Sequence, residues 1–335
     1  MARPTITVHH VRAVLRGARR GGVDTVPLLR AARIPPPLLG DDRARVTAAQ
    51  FARLFRESYR ATQDEFIGLG SARSRPGTFA MMCHASLGCR DLGAAMERGV
   101  TFYGLFPGGP DLALTRSRDA AVLTVRNDLD QDFFLAECLV MVWHRLCGWL
   151  IGHRIPLRWA DFGHPPPPHG HEYAGLFGCP VRFGAQRTGA GLDARWLDAP
   201  LVRDEAALAA MLRRAPFDLL SRREYGTTVA EQVRRALVTA LRTSPRLPSL
   251  GEVAARLALS PSTLRRRLAR ESTSYQEVKD AVRRDAAIAG LAEGHEPIAD
   301  LAARLGFSED TAFHRAFRRW TGTTPGTYRD AGRHT

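Results

Sequence analysis

The spacing of apolar positions predicts helices at the start of the chain. Val8, Val11, Val14 and Leu15 fall on one helical stripe, and a second apolar stretch over 26–32 ends at Pro35-Pro36-Pro37. Thr47 is placed to cap a helix over 48–61, in which Phe51, Leu54 and Phe55 keep helical spacing. The period then changes: 112–115 and 121–125 read as strands joined by the polar turn 116–119. Next comes a nearly unbroken apolar run over 133–152, then an alternating strand over 156–162, and 181–183 begins another. Residues 1–212 are therefore expected to form an α+β domain. Between 212 and 227 the periodicity lapses while Arg213, Arg214, Arg222 and Arg223 accumulate, which predicts a linker over 213–227. A helix resumes over 229–241, stopped by Ser244-Pro245 and Pro248, and opens an all-α domain over 228–332.

Within that second domain a short text repeats. Ala254-Ala255-Arg256-Leu257 leads to Ser260, and 48 positions later Ala302-Ala303-Arg304-Leu305 leads through Gly306 and Phe307 to Ser308. Each copy has an acid and an aliphatic upstream (Glu252 and Val253; Asp300 and Leu301) and an apolar i, i+4 pair downstream (Leu264 and Leu268; Phe313 and Phe317). This predicts two helix-turn-helix units, at about 250–270 and 298–320, of the kind that docks its second helix in a major groove. Two in tandem read successive groove segments, about 34 Å apart on one face of DNA. A long helix over 275–291, with Val278, Val282 and Ile288 inward, would hold them apart.

Ser260 and Ser308 stand where N-caps belong, before Pro261 and before Glu309-Asp310, so the reader helices are expected to begin at Pro261 and Glu309. With Leu264, Leu268, Phe313 and Phe317 turned inward, Arg265, Arg266, Arg315 and His314 become candidate base donors and Asp310 a candidate acceptor. Arg304, Arg318 and Arg319 are candidates for phosphate oxygens, as are Arg270 and the cap residues Ser260 and Ser308.

Charge agrees with a polyanionic partner. The 335 residues carry a formal net charge of +14, though Lys279 is the only lysine and the arginines are spread along the whole length. Cys83, Cys89, Cys138, Cys147 and Cys179 form no CxxC pair and follow no signal peptide, which predicts reduced thiols and a cytoplasmic location. Glu137, His144 and Arg145 inside the run 133–152 make it a buried helix rather than a membrane span. Phe134, Met141 and Trp143 on it, with Phe133 and Trp149, are candidates to line an effector pocket, although core packing serves the same pattern. His164, His169 and His171 in a Pro-rich loop have no Cys or carboxylate at ligand spacing, so neither a metal nor a cofactor is expected.

The C-terminal text resembles the signature of AraC/XylS-family transcription regulators: Gly306-Phe307-Ser308, Ala312-Phe313-His314-Arg315-Ala316-Phe317-Arg318-Arg319-Trp320, Gly322-Thr323-Thr324-Pro325 and Tyr328-Arg329, within 227–329. The resemblance implies sequence-specific reading of promoter DNA in two adjacent major grooves and activation by touching RNA polymerase. It places the base-reading positions on Ser262, Arg265, Arg266, Asp310, Thr311, His314 and Arg315. Ala258 stands where many relatives have a turn glycine. Pro76-Gly77-Thr78-Phe79, Phe162-Gly163-His164-Pro165, the stretch 176–185 and Leu197-Asp198-Ala199-Pro200-Leu201 are similar to the arabinose-binding-like N-terminal domain of one branch of this bacterial family. That likeness implies a small-molecule effector and a homodimer.

Two other classes share parts of this pattern. A DNA-repair enzyme with an appended helix-turn-helix domain would show a zinc-binding cysteine cluster or an activated nucleophilic cysteine, and no GxSxG, HExxH or phosphate loop is present either. A non-enzymatic reading is therefore expected. An architectural DNA-binding protein would need no such closely specified reader helices.

Overall fold

The computed structural model describes residues 5–106, 109–125, 133–213, 219, 229–243, 246–271, 273–294 and 296–333. Of the expected linker only Arg213 and Leu219 fall among them, so the exposed-connector reading, with Arg214, Arg222 and Arg223, lies outside the described residues. The chain forms two compact units, one of Met1–Arg12, Thr25–Glu57 and Gly226–Thr335, the other of Ala13–Asp24 and Ser58–Tyr225. The division does not follow the linear partition at 212–228, because much of the N-terminal segment packs with the C-terminal helices.

In the first unit, β1 (Thr5–Thr7) pairs antiparallel with β2 (Arg45–Thr47). Between them lie the start of α1 (Val8–Arg20) and all of α2 (Thr25–Ala32). α3 (Ala48–Thr62) follows, and both α1 and α3 give residues to each unit. The Thr47 hydroxyl accepts from the Gln50 amide at 3.1 Å and the Gln50 side chain accepts from the Thr47 amide at 2.8 Å, a reciprocal cap that starts α3 where the sequence places it. The rest is helical: α9 (Val229–Thr243), α10 (Leu250–Arg256), α11 (Pro261–Arg270), α12 (Tyr275–Glu293), α13 (Ile298–Arg304), α14 (Asp310–Thr321) and α15 (Pro325–Arg333).

What joins this strand pair, a hairpin in its pairing but with helices in place of a turn, to the C-terminal helices is a buried ion cluster. Asp285, in the middle of α12, is 1% exposed; it accepts from Thr5 Oγ1 at 2.6 Å and from Arg234 Nη2 at 2.5 Å, with Arg284 Nε 3.5 Å away. Thr5 Oγ1 accepts in turn from Arg45 Nε at 2.7 Å. Burial alone would raise the Asp285 carboxyl, but Arg284, Arg234 and Arg45 with the Thr5 hydroxyl outweigh it and bring it down to about 2.

The second unit holds α4 (Thr78–Leu87), α5 (Leu92–Gly104), α6 (Phe134–Leu150), α7 (Tyr173–Phe177), α8 (Glu205–Leu212) and a five-stranded sheet. Its order is β3-β4-β7-β5-β6, for β3 (Leu112–Arg116), β4 (Ala120–Val125), β5 (Leu157–Phe162), β6 (Val181–Phe183) and β7 (Thr188–Asp193), all antiparallel but for β5 with β6. On one face Ala121, Leu123, Val125, Ala190 and Leu192 are buried toward α6. On the other, the central strand offers Gly189 and Gly191, with Asp193 at its end, and Trp159 lies across Gly191 where a Cβ would come within 2.5 Å of its ring. Those glycines hide β7 from sequence reading, since strands are usually rich in branched and aromatic residues.

The stretch 134–151 is long and apolar enough to cross a membrane, but 83% of it is buried inside the protein. Its three polar groups are satisfied there: Glu137 accepts from the Tyr173 hydroxyl, His144 Nε2 meets the Ile155 carbonyl at 2.8 Å, and Arg145 donates to the Leu219 carbonyl. Burial holds the His144 imidazole down at about 4. His164 is also buried, 3.1 Å from Glu137 and stacked on Phe133; burial opposes its protonation, yet the Glu137 and Pro165 acceptors raise it above the ordinary value.

Candidate nucleic-acid interface

The first helix-turn-helix is built from local signals. Ser249 and Glu252 form a capping box that starts α10, and Val253 and Ala254 bury its inner face. In the turn, Ala258 has φ +53°, a left-handed conformation that costs alanine about 1 kcal/mol relative to glycine. Ala258→Gly is therefore expected to stabilise the first unit by up to about 1 kcal/mol, read as a higher urea midpoint at unchanged m value; a lower midpoint would show that the turn tolerates alanine without strain. Ser260 then caps α11, accepting from the Thr263 amide at 3.1 Å, with Pro261 at the first helical position. Leu264 and Leu268 are fully buried, which leaves Ser262, Arg265, Arg266 and Arg270 exposed.

The second helix-turn-helix repeats the plan with one residue added. Gly306 takes the left-handed turn position at φ +76°, matching Ala258, but the cap is Glu309 and α14 begins at Asp310. Ser308 is thus not the N-cap that the sequence suggested, and no side chain caps this helix. The extra turn residue moves every later equivalence by one, so Phe313 and Phe317 occupy the inner positions of Leu264 and Leu268 and are 0% exposed. By the same register Thr311, His314 and Arg315 stand where Ser262, Arg265 and Arg266 stand on α11. Asp310, Thr311, His314, Arg315, Arg318 and Arg319 are all exposed, and so is Ser308.

Two of the proposed phosphate ligands already have partners. Arg304 makes a two-pronged bond to Glu296 at 2.9 and 2.7 Å, which also raises its affinity for its proton. Arg319 Nη2 lies 3.7 Å from the Asp280 carboxylate. By contrast, among the described residues Arg265, Arg266 and Arg315 have no carboxylate partner.

α12 ties the two helix-turn-helix motifs together. Its 19 residues give a rod roughly 28 Å long at 1.5 Å per residue. Near its start Tyr275 donates to the Pro248 carbonyl, just before α10. Further along, Arg283 donates to the Leu305 and Gly306 carbonyls, both at 3.0 Å, and its guanidinium lies over Phe307, so α12 carries the turn before α14. Glu271 accepts from the Val229 and Ala230 amides, both at 2.8 Å, and so caps α9 from the end of α11. Sequence reading missed Arg283, Glu271 and Asp285. A signal for Asp285 existed: it falls on the apolar stripe of α12, at helical spacing from Val278 and Val282.

The candidate effector residues are not brought to a common opening. Phe134, Met141 and Trp143 are all buried, and the Trp143 ring packs against Gly99 beside the Met82 sulfur, a core contact. A cleft of about 570 Å³ lies instead on the glycine face of the sheet, lined in part by Thr124, Trp159, Asp161, Arg182 and Arg187. The difference has a simple cause: α6 packs on the other face, and a helix apolar all round is core. Cysteine chemistry is discouraged too, since burial pushes the Cys83, Cys147 and Cys179 thiols up to about 12.

Residues 22–201 match the arabinose-binding N-terminal domain of AraC transcription regulators, and 253–331 match a helix-turn-helix domain family. The chain is 27% identical over 330 residues to the ornithine utilization regulator of Pseudomonas aeruginosa, covering 97% of this chain and 96% of that one. It is 29% identical over 326 residues to the HTH-type transcriptional regulator VirS of Mycobacterium tuberculosis, covering 94% and 93%. Among solved structures, the transcriptional regulator CdpR of Pseudomonas aeruginosa is 26% identical with a TM-score of 0.29, covering 93% and 97%. The chain therefore belongs to the AraC family of transcription regulators, in the branch with an arabinose-binding-like N-terminal domain, and is a DNA-binding transcription factor.

Proposed function

We propose that α11 and α14 enter two successive major grooves of a promoter. Ser262, Arg265, Arg266, Asp310, Thr311, His314 and Arg315 read base edges there, while Ser260, Arg270, Ser308 and Arg318 sit along the phosphates. Arg304 and Arg319 join them only by exchanging Glu296 and Asp280 for phosphate oxygens. One observation carries this reading: in both helices each candidate reader is exposed, while the residues a turn away at the inner positions are fully buried. Such an arrangement fixes the helix on its core and leaves its outer face to the groove.

The second unit responds to a small-molecule effector, which shifts the protein between DNA-competent and incompetent states. The bound regulator, a homodimer in the cytoplasm, activates transcription by touching RNA polymerase. It has no catalytic role; thiols held protonated by burial argue against a nucleophilic cysteine.

The test uses a duplex selected by the full chain from a random-sequence pool, beside an unselected duplex of equal length. A bidentate base contact contributes about 1–3 kcal/mol. Arg315→Ala and Arg265→Ala are each expected to weaken the selected duplex roughly 5- to 150-fold and the unselected one far less, at fixed salt. Equal losses on the two duplexes would remove direct base readout.

A further inference from the structure

β1, β2 and the turn before β2 make three contacts around the second reader helix, one on its end and two on the helices that flank it. Gly322 closes α14 with φ +78°, and the space its Cβ would take is filled by the Asp41 carboxylate, so the 41–44 turn sits directly on the end of that helix. Tyr328 on α15 donates its hydroxyl to the Arg45 carbonyl at 2.9 Å, and its ring meets Phe317 edge-on at 5.7 Å, on the buried face of α14. Thr5 and Arg45 lock the same hairpin to Asp285 on α12, two residues from the Arg283 that holds the turn entering α14. Residues 41–47 thus meet α12, α14 and α15. α11 reaches the rest of the unit through Glu271 and α9, and α9 meets the same Asp285 through Arg234, a bond that neither Thr5 nor Arg45 makes.

We propose that the N-terminal hairpin is a positioning element for DNA recognition, which sets the angle of α14 against α12 while leaving α11 to its own supports. Nothing in the hairpin needs to touch DNA for this. Thr5, Arg45 and Tyr328 act through α14, and the Asp285 cluster is the lock that keeps the hairpin seated. A loosened hairpin frees α14 to rock, so half of the recognition sequence loses definition while the other half keeps it. This rests on base reading by α11 and α14 as proposed above.

The experiment uses full-length variants Thr5→Val, which removes the bridging hydroxyl at constant volume, and Tyr328→Phe, which keeps the ring on Phe317. Two readouts are taken. Amide exchange without DNA is expected to speed up at least tenfold over 310–321 and to stay unchanged over 261–270 and in the second unit. Selection from a random-sequence duplex pool is expected to return a two-part motif for the parent chain. In both variants the part read by α14 flattens, with affinity for the parent duplex down about tenfold. Arg315→Ala and Arg265→Ala assign which part belongs to which helix.

Unchanged exchange over 310–321, or loss of both motif parts together, overturns the positioning role. Should Arg315→Ala and Arg265→Ala leave the motif intact while exchange over 310–321 still rises, base reading fails and the role in recognition falls with it, but the mechanical seat of α14 stands. The two failures therefore look different.

Discussion

Asp285→Ala is expected to lower the unfolding free energy of the first unit by about 3–5 kcal/mol, the range for removing one partner from a buried charge cluster. The residue is 1% exposed and its carboxylate answers Thr5 and Arg234 directly, with Arg284 close by. Alanine would take from the Arg234 and Arg284 guanidinium groups the buried carboxylate that they share. Asp285→Asn keeps the shape and loses only the charge, so it is expected to fall between the two. The effect depends on acid in a definite direction. The folded carboxyl titrates near 2 and its ordinary value is 3.8, so the ionised form's contribution is complete above about pH 5 and fades as pH falls through 3.8 toward 2. That share is on the order of 2–3 kcal/mol. Denaturant-dependent amide exchange, resolved by peptide, reads each unit separately. The parent and the alanine variant should draw together as pH approaches 2, while peptides of the second unit stay equal throughout. A loss under 1 kcal/mol at neutral pH would show that the arginines find other acceptors and that the hairpin is held by packing alone.

Legibility in the sequence tracked the range of the interactions. Ser260 before Pro261, and Leu264 with Leu268, are signals confined to one helix, and α11 begins and faces as they predict. The hairpin of β3 and β4 and the cap at Thr47 are equally local. Ser308 misled because Ser followed by two acids has the composition of a cap; the added residue in the second turn was concealed by the identical text before it. β7 was not legible because its identity comes from pairing on both sides, with glycines chosen by the Trp159 ring and the Leu123 carbonyl rather than by strand preference. The union of the N-terminal hairpin with the C-terminal helices was least accessible of all. Thr5 and Asp285 are 280 positions apart, and each strand of the hairpin is three residues long. At the candidate interface the outward faces of α11 and α14 were legible in full, since two buried residues at i, i+4 determine which way the rest must point. Which arginines already hold a carboxylate was not, because Glu296 and Asp280 lie outside the reader helices.

Phe313→Ala is expected to cost about 3–5 kcal/mol and, with it, sequence-specific binding. The ring is 0% exposed and lies at 5.4 Å from Phe307 and 5.9 Å from Phe317, so it joins the turn residue of the second helix-turn-helix to the inner face of α14. Truncation opens a cavity among aromatic rings that α13 and α15 can close only by moving α14. Arg315, two residues on, is exposed, and Arg315→Ala leaves the core untouched. The pair therefore separates support from contact. Phe313→Ala should lower the urea midpoint of the first unit and weaken the selected duplex, with affinity partly regained on cooling from 37 to 15 °C as the folded fraction recovers. Arg315→Ala should keep the parent midpoint and weaken the selected duplex alike at both temperatures. Phe313→Leu retains most of the buried volume and should recover most of the stability, since swaps that conserve volume usually cost less than about 1.5 kcal/mol. If Phe313→Ala kept both its midpoint and its duplex affinity, α14 would not be seated on the aromatic cluster, and the outward display of His314 and Arg315 would lose its structural cause.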